Sequence, residues 1–260
     1  MMRLVINPAY LKYKEEFQSI PEWMANGKGE SIHEGRNSVR RFLIQGQAFM
    51  VKRFKRVNWI QSIAYSFFRK TKAERAFLYA QAYRERGIDT PQEVAFIEIR
   101  NACGWFRDGF FISRVSPKPP VFPLLESCDT YDTQLVDDLA KMVVRMHWAG
   151  ILNKDLNLGN FLYSKEDGRY HFTMVDINRT KLKDSLPDRI TRLNNLCTIT
   201  CKQDLFRLLL KSYLDITENE AGSKEMLINI GMECWRKRIK RLQRQKAYKS
   251  IIRGFKSRKI

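Results

Sequence analysis

Asp155 and Asn160 stand five positions apart in Asn153-Lys154-Asp155-Leu156-Asn157-Leu158-Gly159-Asn160, and a further acid follows in Val175-Asp176-Ile177-Asn178. Phosphoryl transfer from Mg-ATP asks for such a set. One carboxylate orients the attacking hydroxyl and takes its proton, while an amide oxygen and a second carboxylate hold Mg²⁺. Taken singly, Asp and Asn more often cap helices or make turns. Spacing and flanking elements make these three a candidate site.

The elements that must position them can be read from pattern. Residues 1–30 mix apolar and charged side chains and read as an irregular edge or a first strand. Short strands are predicted from Ser31 to Phe54, with a Gln45-Gly46-Gln47 hairpin turn between Val39–Ile44 and Ala48–Phe54. A helical pattern covers residues 59–86, stopped by Gly87. Further β-like runs occupy Glu93–Arg100 and Gly109–Val115, and Pro117–Pro123 reads as a stiff linker. The second half reads as helical, through Thr133–Trp148, Asp204–Leu214 and Met226–Arg253. It is interrupted by a hairpin of Phe161–Tyr163 and His171–Asp176 around Asp167-Gly168. Asn160 precedes that hairpin and Asp176 ends it, so two sequence-distant oxygen ligands are drawn toward one place. Mg²⁺ suits so sparse a set, because it keeps several waters and takes other ligands from phosphates.

Lys52 ends a predicted strand, where its ammonium can neutralise the phosphates of ATP. Glu74, in Lys72-Ala73-Glu74-Arg75, is the candidate carboxylate to hold it, with Glu85 on the same predicted helix as the alternative. A basic residue at a strand end is common, so Lys52 gains meaning only beside the later motif. Gly35, in His33-Glu34-Gly35-Arg36-Asn37-Ser38, is the one glycine available for a phosphate-covering loop, and an ordinary turn explains it equally well. His147, eight residues before Asp155, reads as a packed, hydrogen-bonded imidazole at a helix end in preference to a general base.

Composition bounds the rest. The chain has 260 residues, 44% of them hydrophobic and 12% aromatic, enough for a substantial core. No apolar run approaches the roughly 18 residues of a membrane span, and the N-terminal apolar stretch is too short for a signal peptide. Five scattered cysteines without a CxxC pair suit reduced thiols in a cytoplasm. Twelve Lys/Arg and no Asp/Glu among residues 236–260 supply most of the formal charge of +19. Such a tail favours a polyanion or serves as a solvated basic helix.

His147-x-x-Gly150-Ile151-Leu152-Asn153-Lys154-Asp155-Leu156-x-x-x-Asn160-Phe161-Leu162, followed by Val175-Asp176, resembles the catalytic core of protein-kinase-like enzymes. More closely it is similar to the bacterial lipopolysaccharide kinase (Kdo/WaaP, InaA-type) family. Lys72-Ala73-Glu74-Arg75 leading into Arg86-Gly87-Ile88-Asp89-Thr90-Pro91 supports this. The resemblance runs from about residue 31 to residue 214. It implies an α+β, two-lobed protein-kinase-like fold with a β-rich N-lobe and a mainly helical C-lobe. It implies Asp155 as catalytic base, Asn160 and Asp176 as Mg²⁺ ligands, Lys52 and Glu74 as the ATP-positioning ion pair, and Asp204 as a buried carboxylate bracing the catalytic loop.

Three departures narrow the expected substrate. The usual His-Arg-Asp is Asn153-Lys154-Asp155, the Asp-Phe-Gly is Asp176-Ile177-Asn178, and no Ala-Pro-Glu element is present. A lysine cannot make the bidentate fork with which an arginine answers activation-loop phosphorylation. Little room remains for a peptide-binding segment, which favours a sugar hydroxyl.

The expected division is an N-lobe over residues 1–115, a C-lobe over 116–235 and a basic helix or tail over 236–260. The expected activity is ATP-dependent, Mg²⁺-assisted phosphorylation of a lipopolysaccharide-core or related anionic glycolipid hydroxyl. The expected place is the cytoplasm, peripheral on the inner face of the inner membrane. There the basic residues meet anionic lipid, and the Trp59–Lys70 stripe either inserts shallowly or belongs to the core. The alternatives are a small RIO-like protein kinase with RNA-associated partners and a nucleotide-binding pseudokinase.

Overall fold

The computed structural model describes residues 1–35, 37–54, 70–128, 130–217 and 223–257, with side chains through residue 250. The expectation for Trp59–Arg69 lies outside the described residues. The chain divides into two compact units, Met1–Lys118 with Thr173–Asn178, and Pro119–Phe172 with Arg179–Ile260.

The first unit is built on a six-stranded antiparallel sheet in the order β1-β5-β6-β4-β3-β2. Its strands are β1 (Met2–Ile6), β2 (Glu30–His33), β3 (Ser38–Ile44), β4 (Gln47–Phe54), β5 (Glu93–Arg100) and β6 (Phe106–Arg114). The β3–β4 hairpin turns at Gln45-Gly46, both in the left-handed region. Residues 1–30, expected to be irregular or a strand, hold a helix as well. Asn7 caps a 3₁₀ turn over Pro8–Tyr13, which runs into α1 (Lys14–Ala25). Pro21 inside α1 hides the helix from a residue-by-residue reading. The spacing of Phe17, Ile20 and Met24 reveals it, since all three are buried on one stripe. Each contributes about 2 kcal/mol by leaving water.

The sheet uses both faces. Phe49 and Val51 of β4 join Phe17, Ile20, Ala95, Ile97 and Ile112 in one core cluster, with the Phe17 and Phe49 rings edge-to-face at 5.3 Å. Phe54 and Phe96 join Ala73, Ala76 and Phe77 of α2 (Lys72–Glu85) in the other. Strand alternation therefore sends Lys52, two residues before Phe54, to the α2 side of the sheet.

The second unit is mainly helical. Its helices are α3 (Phe122–Glu126), α4 (Thr133–Trp148), α5 (Arg189–Leu196), α6 (Gln203–Ile216) and α7 (Lys224–Ser257). Leu135, Leu139, Met142, Val143 and Met146 of α4 are buried, as are Leu205, Phe206, Leu209, Leu210 and Tyr213 of α6. Gly231 lets α7 approach α6, because a Cβ there would meet Leu210 Cδ2 at 2.7 Å. Trp235 stacks on Phe206 at 6.0 Å, and from residue 243 to 250 every α7 residue is exposed.

Two strand pairings escape the sequence pattern, whereas the expected hairpin around Asp167-Gly168 is present. β7 (Ile151–Asn153) pairs with β10 (Thr180–Leu182), and three residues are too few to show a period. The proline-rich stretch is not a free linker either. Val121 N–H donates to Phe161 O and Tyr163 N–H to Pro119 O, so it lies along β8 (Phe161–Glu166). β8 pairs with β9 (Arg169–Met174) across Asp167-Gly168, both at positive φ as a tight hairpin turn requires.

Candidate active site

Lys52, Glu74, Gly35 and Asp176 belong to the first unit, and Asp155 and Asn160 to the second.

In the first unit, residues 173–174 are stitched to the turn after α2. Met174 N–H donates to Asp89 O at 2.8 Å, and Thr90 Oγ1 donates to Met174 O at 2.7 Å. Lys118 Nζ reaches both Asp89 Oδ2 and Thr173 Oγ1, and Thr173 Oγ1 also donates to Asp89 Oδ2. Asp176 emerges two residues later with φ of 52°, a left-handed turn that Asp tolerates better than most residues. Its Oδ1 lies 2.8 Å from Lys52 Nζ and also accepts from Asn178 Nδ2. Strand β4 and this turn thus bring Lys52 and Asp176 together.

Glu74 has other engagements. Thr71-Lys72-Ala73-Glu74 has the capping-box pattern at the start of α2. Thr71 Oγ1 accepts from Glu74 N–H at 3.1 Å and donates to the buried Glu98 at 2.7 Å. The Glu74 carboxylate lies 3.6 Å from Arg3 Nη2. Among the described residues, the ion pair of Lys52 is with Asp176 rather than Glu74. Gly35 sits in the loop between β2 and β3, where a Cβ would come within 2.9 Å of the His33 imidazole.

In the second unit the catalytic-loop candidate is tied to itself. Asn153 Oδ1 accepts from Asp155 N–H at 2.8 Å. The Asp155 carbonyl accepts from Asn157 Nδ2 at 2.9 Å and from Asn160 Nδ2 at 2.8 Å. Because the Asn160 amide nitrogen is committed as donor, its Oδ1 is the atom left to ligate a cation. The Asp155 carboxylate is met by Arg179 Nη1 at 2.7 Å. An amide oxygen and carboxylates are hard donors of the kind Mg²⁺ takes. The described residues hold no cluster of three or more His, Cys, Asp or Glu side chains that could bind a metal alone.

A buried chain of hydrogen bonds supports this loop. Asn195 Nδ2 donates to Asn153 O at 2.6 Å, so Asn195 Oδ1 must accept from His147 Nε2 at 3.1 Å. That fixes the imidazole tautomer: Nδ1 accepts from Tyr213 O–H at 2.9 Å, and Arg192 Nη1 donates to the Tyr213 oxygen at 3.3 Å. Burial pushes the His147 pKa down to about 4, with the Arg192 charge adding to the effect. The ring is neutral near pH 7 and both nitrogens are engaged, so His147 is a support and not a base. Thr198 Oγ1 adds a bond to Leu156 O at 2.9 Å, and Arg238 of α7 holds Thr198 O at 3.2 Å. One group stays costly: Asn153 Nδ2 is buried and bonds no described partner, a loss of about 1–3 kcal/mol.

The expected brace, Asp204, is corrected. It is exposed, and the Tyr131 hydroxyl donates to it at 2.7 Å, which holds its carboxyl below the usual range. Asn195, a neutral amide at the end of α5, makes the bond to the loop backbone instead. Neither Asn195 nor Arg179 stands out in the sequence. The only signal for Arg179 is its place directly after Asp176-Ile177-Asn178.

The sequence model of the Lipopolysaccharide kinase (Kdo/WaaP) family matches residues 52–200, more than half of the chain. The chain belongs to this family. The match begins at Lys52 and contains Glu74, Asp155, Asn160, Asp176 and Asn195, while Gly35 and α7 fall outside it. The protein is accordingly a kinase, a phosphotransferase of lipopolysaccharide biosynthesis. A solved structure described as WaaP in complex with acyl carrier protein superposes with a TM-score of 0.57 at 18% identity, covering 90% of this chain and 99% of that one. That likeness shows the protein-kinase-like fold, α+β with its β-rich part first. A Rio2 kinase–ADP/Mg²⁺–phosphoaspartate complex from Chaetomium thermophilum matches at a TM-score of 0.45 and 10% identity, covering 83% and 66% of the two chains. Comparison with curated protein sequences gives no match. Among the described residues, no helix is long and apolar enough to cross a membrane.

Proposed function

We propose that this kinase transfers the γ-phosphate of ATP to a sugar hydroxyl of the lipopolysaccharide core (Kdo or heptose) or a related glycolipid. The observation that carries the reading is the catalytic loop itself. Asn160 is bonded to the Asp155 backbone, inside the family match, with one side-chain oxygen left for a cation.

In this reading Asp155 orients the acceptor hydroxyl and takes its proton, and Lys52 neutralises the ATP phosphates. Asn160 and Asp176 are the ligands of Mg²⁺, which when bound supplies charge neutralisation on the phosphates. Asp176 Oδ1 already serves Lys52 and Asn178. Its engagement with a cation would loosen Lys52, for which Glu74 on α2 is the replacement partner. Gly35 would let backbone amides of its loop approach the phosphates.

The basic C-terminal part of α7, exposed from residue 243 to 250, is read as the contact to an anionic inner-leaflet surface, where each Lys/Arg contributes about 1 kcal/mol. In this reading the enzyme works in the cytoplasm, peripheral on the inner membrane. Sedimentation with anionic but not neutral vesicles is expected, and binding to RNA alone would contradict it. The acyl carrier protein in the WaaP structure makes the same protein a partner to seek by co-purification.

The direct test of the substrate is mass spectrometry of lipopolysaccharide from cells with and without this gene. Loss of phosphate from the core sugars is expected. An unchanged phosphate count would overturn the acceptor assignment.

A further inference from the structure

Arg179, Lys181 and Lys183 alternate with buried Thr180 and half-buried Leu182 along β10 and the residues flanking it, and all three basic residues are exposed. The β7–β10 register places Thr180 opposite Asn153. Lys154 therefore stands opposite Arg179, with its N–H donating to Arg179 O at 3.1 Å. Like charges directly opposed across strands are destabilising. The carboxylate facing this group is Asp155, which takes Arg179 Nη1, and Asp184 follows at the far end beyond Lys183. A candidate catalytic base thus sits at one end of an exposed cationic strip.

We propose that this strip is the acceptor's anion subsite. Arg179 and Lys181, with Lys154 across from them, bind a carboxylate or phosphate carried on the sugar whose hydroxyl meets Asp155. The inference rests on the acceptor reading above and narrows it to acidic sugars. A hydroxyl that reaches Asp155 brings its neighbouring ring substituents against Arg179. The guanidinium is a planar fork suited to carboxylate and phosphate, and it spends Nη1 on Asp155, leaving further N–H donors. Residues two apart on a strand are separated by roughly 7 Å, about the span from a sugar hydroxyl to an acidic group elsewhere on the ring. In this arrangement Arg179 is a positioning residue. It holds the Asp155 carboxylate in place through the 2.7 Å contact while it reads the charge beside the reacting hydroxyl.

The test compares wild type with the double variant Lys154→Ala/Lys181→Ala, using two soluble acceptors: an acidic sugar and the same sugar with its carboxylate reduced to an alcohol. A sugar phosphate and its dephosphorylated form serve as a second pair. Each exposed lysine removed should raise the acceptor KM about fivefold for the charged member of a pair. The KM for ATP should stay the same, and variant and wild type should converge on the uncharged member. Arg179→Lys should keep more of the preference for the charged acceptor than Arg179→Gln. Equal losses on charged and uncharged acceptors, or no loss at all, would overturn the proposal. If wild type hydrolyses or transfers nothing to any sugar, the acceptor reading itself fails, and that result is distinct from the first two. Which pair shows the effect separates carboxylate from phosphate.

Discussion

The two units hold their functional candidates in opposite ways. In the first unit, Lys52 and Asp176 are charged, partly exposed and bonded to one another, with side-chain exposures of 18% and 37%. In the second, the Asp155 carboxylate also has an exposed partner in Arg179, but the loop backbone is held by buried or half-buried groups, Asn153, Asn195, His147 and Tyr213. Exposed ion pairs exchange partners readily when a nucleotide or cation arrives. A buried hydrogen-bonded network does not rearrange without cost, even with one donor, Asn153 Nδ2, left without a described partner. The contrast fits the proposed roles, a division of labour in which groups proposed to handle phosphate adjust on binding and the loop proposed to handle the acceptor is preorganised.

That contrast can be broken by substitution. The largest effect is expected from Asn195→Leu, which removes the donor to Asn153 O and strands a donor of His147. We expect kcat to fall about 100-fold with KM for ATP nearly unchanged, together with a loss of about 1–3 kcal/mol in unfolding free energy. In Lys52→Met the reverse split is expected, with KM for ATP raised about tenfold and thermal stability close to wild type. Steady-state kinetics beside denaturant unfolding separates the two. If Asn195→Leu raised KM for ATP and Lys52→Met unfolded the protein, the contrast would be wrong.

A smaller, pH-dependent effect follows from His147. Its folded pKa is about 4 against 6.5 for an exposed histidine, so below 6.5 the unfolded chain binds a proton that the folded one refuses. Stability should therefore fall as pH drops from 6.5 to 4, by about 3 kcal/mol at most from this group. The first unit lacks a comparable buried imidazole among its described residues. His147→Gln should flatten the acid limb of the unfolding curve, and an unchanged limb would exclude His147 as its source.

Much of this was legible before the structure. Asp155, Asn160 and Asp176 are short-range signals, since their types and spacing alone made them candidates. The long α4 helix and the β3–β4 hairpin are regular enough to show their periods. What stayed hidden depends on long-range pairing. The β7–β10 ladder is three residues long and joins segments about 27 positions apart by its register of Thr180 with Asn153. Asn195 reaches Asn153 across 42 positions. A carboxylate at Asp204 was the expected brace because its helix-start position matched a family pattern. Its side chain instead faces solvent and Tyr131. The Glu74 carboxylate lies 3.6 Å from Arg3 Nη2, a contact between β1 and α2 that no local pattern announces.

The most direct test of the account is Asp155→Ala assayed for transfer of labelled γ-phosphate from Mg-ATP to lipopolysaccharide-core sugar. Removal of a positioned base is expected to lower kcat about 10²–10⁴-fold while ATP still binds. Transfer at the wild-type rate by the purified, folded variant would contradict the assignment of Asp155 and the mechanism built on it.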